Sequence, residues 1–538
     1  MIENKELDDR HTLPRWVSIR KAVEGGIFAR PGVVRKATQR SAVQEENEGA
    51  LLEEFKRRID DWLESQSYTD AEELISVSLF LGRENDVEIQ QAAATLVGSE
   101  LASEAARNLA GRILSGDVRR LSWGDDIAIA SLHKEIRKRK KLIELNPSDA
   151  LLLTETALCY ANLGQLRSSE ELLRRALALA PHNRYVLRSA ARFYCHLQRP
   201  DQALQILRGT PRGDTDPWIR SAELAISGIT GEVIRSWRKS KNLVEDDSLS
   251  VFDRSELATE IATLEFSSGS SRAGLRKVRF AALDPTENAV AQIEFLAERT
   301  GSFRREQFFP DISRAMEARA LSSYWKGEVR AALDACEAWQ EIEPFSVRPA
   351  IFGSFLATAK GNSIERGIAL ARIGLVGNPG NLSLLNNIAV LYAYIGNVDL
   401  AASFLGKARA SPDMGGQIAS LATEGLIKFR SGDPESGLEH YEKAIELAVI
   451  ERRSDLALRA FSFLAKEMCR VDPGMKSYFI EEFGVIEKKL KRGGAVMPRD
   501  VYLIWEELRP TDKDFSGQKH YPSLVSRDLL EGILPSID

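Results

Sequence analysis

Six histidines and four cysteines decide whether this chain could hold a metal or act through a thiol. His11, His133, His182, His196, His440 and His520 do not pair with one another, or with Cys159, Cys195, Cys336 or Cys469, at ligand spacing on one helix face. Cys195 and His196 are adjacent, so on a helix they point apart. No G-x-x-x-x-G-K-[ST] loop, G-x-S-x-G turn or G-x-G-x-x-G after a strand occurs. Carboxylate pairs such as Glu170-Glu171 and Asp246-Asp247 are ordinary surface in a chain with 78 acidic residues. The expectation is no catalytic residue, no metal and no cofactor. An all-helical hydrolase would require two carboxylates converging in a closed pocket.

The remaining chemistry is charge. KEIRKRKK, residues 134–141, places Lys134, Arg137, Lys138, Arg139, Lys140 and Lys141 together in a chain of formal net charge -5. A second basic zone, residues 10–40, sets eight Lys or Arg against Glu24 alone. Near-even overall charge argues against a general polyanion binder, so a nucleic-acid role would rest on these two segments. A charge run of the first kind is more often the wet side of a helix. The second zone reads as a flexible arm, or one that a partner orders.

The elements that carry these residues repeat. Gly164, Gly327, Gly396 and Gly432 each follow a small residue by seven positions: Ala157, Ala320, Ala389 and Gly425. Five positions later stand Ser169, Ala332, Ala401 and Gly437, and nine later the larger Leu173, Cys336, Leu405 and Tyr441. Small residues let two antiparallel helices approach, the larger one fills the space beside the crossing, and glycine makes the turn. Pro147 and Pro181, 34 residues apart, stop successive second helices.

This register resembles the tetratricopeptide repeat (TPR), a helix–turn–helix unit of about 34 residues. It fits best at 150–183 and 382–413. The resemblance implies an all-α, right-handed α-solenoid of TPR-like repeats, with an N-terminal helical segment and a short C-terminal tail. The expected division is a basic arm at 1–45, helices at 46–131, a superhelix at 132–413, further TPR-like helices at 414–490, and a linker with a docked tail at 491–538. KEIRKRKK then falls on an outer helix, with Leu132, Ile136, Leu142 and Ile143 facing inward and Arg139 at a position usually apolar.

A TPR solenoid offers a concave wall lined by the first helix of each unit. The family register implies that Tyr185, Arg188, Arg192 and His196 form one stripe of that wall, and Asn386, Asn387, Val390 and Tyr394 another. Two arginines and a histidine suggest an acidic ligand segment. Asparagine amides suit the backbone of an extended peptide. Tyr324-Trp325 is a further aromatic candidate. The reading is a non-catalytic scaffold or regulatory subunit that holds a protein segment or subunit in the groove. Nucleic-acid binding, or partnership with a nucleic-acid-processing enzyme, through 10–40 and 134–141 is the alternative. Scattered cysteines, an acidic N-terminal start and the lack of an eighteen-residue apolar run imply a cytoplasmic protein with no membrane partner.

Overall fold

The computed structural model describes residues 10–18 and 55–508, except 82, 84, 103, 116–124, 233–236, 309–311, 313–314, 360–362, 410–412 and 493–496. The expected arm is thus seen only at 10–18 and the expected tail only to residue 508. The rest of both lies outside the described residues. Beyond residues 10–18 the described residues fold into helices joined by turns, with no strand among them.

The helices are α1 (Tyr68–Leu81), α2 (Val87–Val97), α3 (Glu104–Leu114) and α4 (Asp125–Leu145), then α5 (Ala150–Asn162), α6 (Leu166–Leu179), α7 (Arg184–His196) and α8 (Pro200–Arg208). After them come α9 (Pro217–Thr230), α10 (Trp237–Glu245), α11 (Val251–Ser267), α12 (Ser271–Ala281), α13 (Glu287–Thr300), α14 (Met316–Lys326) and α15 (Val329–Ile342). The last are α16 (Arg348–Ala359), α17 (Ile364–Gly377), α18 (Leu382–Tyr394), α19 (Val398–Ala408), α20 (Met414–Arg430), α21 (Pro434–Ile450), α22 (Ser454–Val471), α23 (Lys476–Arg492) and α24 (Arg499–Leu508).

Local chemistry sets these boundaries. Asp149, Asn183 and Asp216 accept hydrogen bonds from the first free N–H groups of α5, α7 and α9, satisfying donors that a helix start leaves unpaired. Gly164, Gly327, Gly396 and Gly432 take φ of 71°, 82°, 78° and 87°, the left-handed turn that glycine adopts without steric cost. Their small partners meet at the crossings. A methyl on Gly425 would lie 2.9 Å from the Gly437 carbonyl and 2.7 Å from the Tyr441 ring. Tyr441 fills the space beside that crossing and is 1% exposed, a burial that stabilises by about 1.5–3 kcal/mol.

The chain divides into two compact units, one of residues 11–318 and 342–345, the other of residues 1–10, 319–341 and 346–538. In the first, α5 pairs with α6, α7 with α8 and α11 with α12, while α7, α9, α11 and α13 pack in sequence as neighbouring first helices. That row is a wall. Helices α1–α3 form a separate apolar cluster around Leu74, Ile89 and Leu109. In the second unit, hairpins α16/α17, α18/α19 and α20/α21 stack in the same way. There α24 docks on α16 and α22, with Trp505 stacked on Phe483 and Arg459 pairing with Asp500 at 2.7 Å.

Candidate functional site

The wall of the first unit is polar as well as buried. Glu155 of α5, Arg188 and Arg192 of α7, Arg220 and Glu223 of α9, Glu256 and Glu260 of α11 and Asn288 of α13 are all at most 7% exposed. Buried charge of this density must be paired, because an isolated ion in a low-dielectric interior is costly. Part of the pairing is internal. Arg188 donates to Glu256 at 2.8 Å and to the Trp218 carbonyl at 2.8 Å, and its guanidinium lies over the Trp218 ring.

Arg220 likewise pairs with Glu223 at 2.5 Å, whereas Glu155, Glu260 and Asn288 are met by residues 11–18, which run across the wall without regular secondary structure. The Thr12 N–H donates to Glu260 at 2.8 Å, and the same carboxylate accepts from the Thr12 hydroxyl at 2.6 Å. His11 Nδ1 is 2.7 Å from the other Glu260 oxygen. Asn288 Nδ2 donates to the Leu13 carbonyl at 3.0 Å and the Tyr185 hydroxyl to the Val17 carbonyl at 3.1 Å. Ser18 Oγ donates to Glu155 at 2.6 Å.

Two side chains anchor the segment. Arg15 spreads its fork over three carboxylates: Nε to Glu343 at 2.9 Å, Nη2 to Glu317 at 2.8 Å and Nη1 to Glu287 at 3.3 Å. Burial works against its charge, yet Glu343, Glu317 and Glu287 together hold the guanidinium above its ordinary pKa. Trp16 is 2% exposed and lies edge-on to Phe193 of α7 at 6.0 Å and to Phe345 at 5.2 Å. Carboxylates do converge here, but a guanidinium fills the place where they meet.

The segment tunes its neighbours. Burial alone would raise the Glu260 carboxyl, but the charge and hydrogen bond of His11 and the two bonds from Thr12 bring it below the usual value. Tyr185 is pushed well above the ordinary phenol range, first by burial and then by Glu155, whose carboxylate shares the single hydroxyl proton with the Val17 carbonyl. His196, 4.3 Å from Phe345, is brought down to about 4 by burial and by Arg192.

Tyr185, Arg188, Arg192 and His196 therefore share the wall face of α7, but the charge of that wall corrects the expectation of an acidic ligand. Arg188 is already neutralised by Glu256, and five carboxylates (Glu155, Glu260, Glu287, Glu317 and Glu343) meet a segment carrying Arg15 and His11. Sequence reasoning missed these carboxylates because they stand on separate elements. The one signal was the basic zone that begins at residue 10.

The second stripe lies inside the other unit. Asn387 Nδ2 donates to the Ile351 carbonyl at 3.3 Å and to Ser354 Oγ at 3.0 Å, and Asn386 Oδ1 accepts from Thr423 at 3.0 Å. These amide groups tie α18 to α16 and α20, so they are not presented to an outside backbone. Val390 belongs to the apolar core. Tyr394 is flanked by Arg430 at 5.1 Å and Lys466 at 5.3 Å, and burial pushes its hydroxyl pKa up. Tyr324 is buried against Phe352, whereas Trp325 is 40% exposed.

KEIRKRKK sits on α4 and is split by its pairing. Arg137 reaches Glu73 at 2.5 Å, and Arg139 reaches Glu155 at 3.4 Å and Glu135 at 3.5 Å. Arg139 thus takes a normally apolar position because a wall carboxylate waits there. Lys138, Lys140 and Lys141 are exposed; of the apolar residues expected inward, Ile136 is buried but Leu142 is 41% exposed. Among the described residues no group of His, Cys, Asp or Glu is placed to hold a metal ion, and no helix is long and apolar enough to cross a membrane.

Comparison with known proteins gives the repeat a name. Residues 160–224 match the tetratricopeptide repeat family. No curated protein matches the chain. Among solved structures, the human IFIT1 dimer with PPP-AAAA is 13% identical, with 85% of this chain and 93% of that chain covered and a TM-score of 0.27. Naa15/Naa10 bound to HypK-THB gives 12%, 86%, 85% and 0.25, and the P58(IPK) TPR domain 15%, 70%, 98% and 0.17, in the same order.

Proposed function

We propose that this tetratricopeptide-type repeat protein is a non-catalytic interaction scaffold or regulatory subunit whose first unit grips a polypeptide segment on its wall of first helices. One observation carries the reading: that wall already holds an extended segment by its main chain, through Glu260 to the Thr12 N–H, Asn288 to the Leu13 carbonyl and Tyr185 to the Val17 carbonyl. Contacts to backbone groups recognise extended chain whatever its side chains. A direct test compares the proteins retained by the full chain with those retained by Tyr185→Phe/Asn288→Ala and by Lys138→Gln/Lys140→Gln/Lys141→Gln. Partners lost only with the wall variant support the scaffold. Partners untouched by it refute the assignment to this wall.

Nucleic acid is the second reading, favoured by the three exposed lysines of α4. Three phosphate contacts would make log affinity fall with log salt at a slope of about -3. A gel shift with purified protein that shows no salt-dependent retention removes it.

A further inference from the structure

We propose that the wall of the first unit is a receptor for an extended polypeptide carrying an arginine followed by a bulky aromatic residue. Residues 11–18 are its resident competitor, which such a partner displaces. The inference deepens the scaffold reading and rests on it.

Selectivity follows from two pockets. Nε, Nη1 and Nη2 of Arg15 each meet a different carboxylate, on Glu343, Glu287 and Glu317. A lysine ammonium is a single point charge and cannot span that arrangement. The neighbouring pocket between Phe193 and Phe345 takes the Trp16 ring edge-on, a geometry in which the positive ring edge meets a negative face. Pro14 precedes both anchors and disfavours helix at Leu13, which keeps the segment free of helical structure before the two side chains reach their pockets.

Exchange follows from how the segment is held. Within it the Leu13 N–H donates to the His11 carbonyl, while Thr12, Leu13, Arg15, Val17 and Ser18 all bond to the wall. Beneath it lies an apolar cluster of Ala157, Leu173, Leu187, Ala190 and Leu204, which Trp16 and Leu13 join from the segment's side, so most of that cluster belongs to the helices. The His11 and Arg15 side chains retain only 12% and 13% exposure, so a competitor must replace both ion pairs as the segment leaves.

The experiment uses the full chain with Arg15→Glu/Trp16→Ala to empty the wall. The probe is a fluorescein-labelled peptide of sequence DRHTLPRWVSIR, followed by anisotropy. The emptied chain should bind it at least about tenfold more tightly than the wild-type chain, and arginine-to-lysine or tryptophan-to-alanine changes in the peptide should each weaken binding at least about tenfold. Equal binding of a scrambled peptide would overturn the selectivity and leave the scaffold standing. No binding by an emptied chain with native circular dichroism would overturn both. In the wild-type chain an excess of heavy-isotope peptide should accelerate hydrogen exchange in residues 11–18; unchanged exchange refutes displacement even if the double variant does not fold.

Discussion

Gly228→Ala separates the stability of the wall from the docking of the segment. Gly228 lies in the first helix α9, where a methyl would sit 2.7 Å from Cε1 and 3.0 Å from Nδ1 of His11. Alanine in place of glycine stabilises a helix interior by about 0.5–1 kcal/mol. The same methyl must push the imidazole away, breaking its 2.7 Å bond to the buried Glu260 carboxylate. A hydrogen bond to a charged group contributes about 1.5–3 kcal/mol, so the local loss exceeds the helical gain. The segment should loosen while α9 does not. Exchange of the Thr12 amide, which donates to Glu260, should accelerate by roughly 10- to 100-fold at 1.4 kcal/mol per decade. The melting temperature of the chain should not fall to match. Gly484→Ala in α23, where a methyl meets nothing within 4 Å, is the control and should leave Thr12 unchanged. A Gly228→Ala chain whose Thr12 exchange matches wild type would refute the placement of His11 and the argument built on it.

Acid should destabilise the fold well above the carboxylate range. His196 and His133 are held down to about 4 against an ordinary 6.5. The unfolded chain therefore takes up protons that the folded chain refuses as pH falls from 6.5 to 4, a loss of about 2 kcal/mol per histidine at pH 5; His196→Gln should flatten the decline seen in melts between pH 7.5 and 5. Glu260, whose pKa is depressed in the fold, adds stability that is present above its ordinary value of 4.5 and lost as pH falls through the lower one. Gly425→Ala should cost about 1–3 kcal/mol by crowding Tyr441 and the Gly437 carbonyl. Gly396→Ala should cost about 1 kcal/mol, because its φ of 78° strains any Cβ while the space around it is open; equal melts for the two variants would contradict the close crossing. Lys138→Gln/Lys140→Gln/Lys141→Gln should stay within about 0.5 kcal/mol of wild type. Arg137→Gln should cost more, since Glu73, already pushed up by burial, would lose one of its two arginine partners at 2.5 Å and keep only Arg58; chemical denaturation ranks them.

The repeat was legible because its rules are local. A glycine turn, a small residue seven positions before it and another five after act within one hairpin, and Gly164, Gly396 and Gly432 turn where that spacing puts them. Helix periodicity likewise put Tyr185, Arg188, Arg192 and His196 on one face of α7. The meaning of that face was not legible, since charge on a wall is a sum over helices. Arg188 looks like a free cation until Glu256, on another helix, neutralises it. Asn386 and Asn387 look like peptide-binding amides until the stack encloses them. Arg15 lies 272 residues from Glu287 and 302 from Glu317, and no spacing rule spans such a distance. Sequence by itself determined helix, turn and crossing, because those energies depend on near neighbours along the chain. Only the tertiary structure decided which carboxylates converge on Arg15, because Coulomb attraction depends on distance in space.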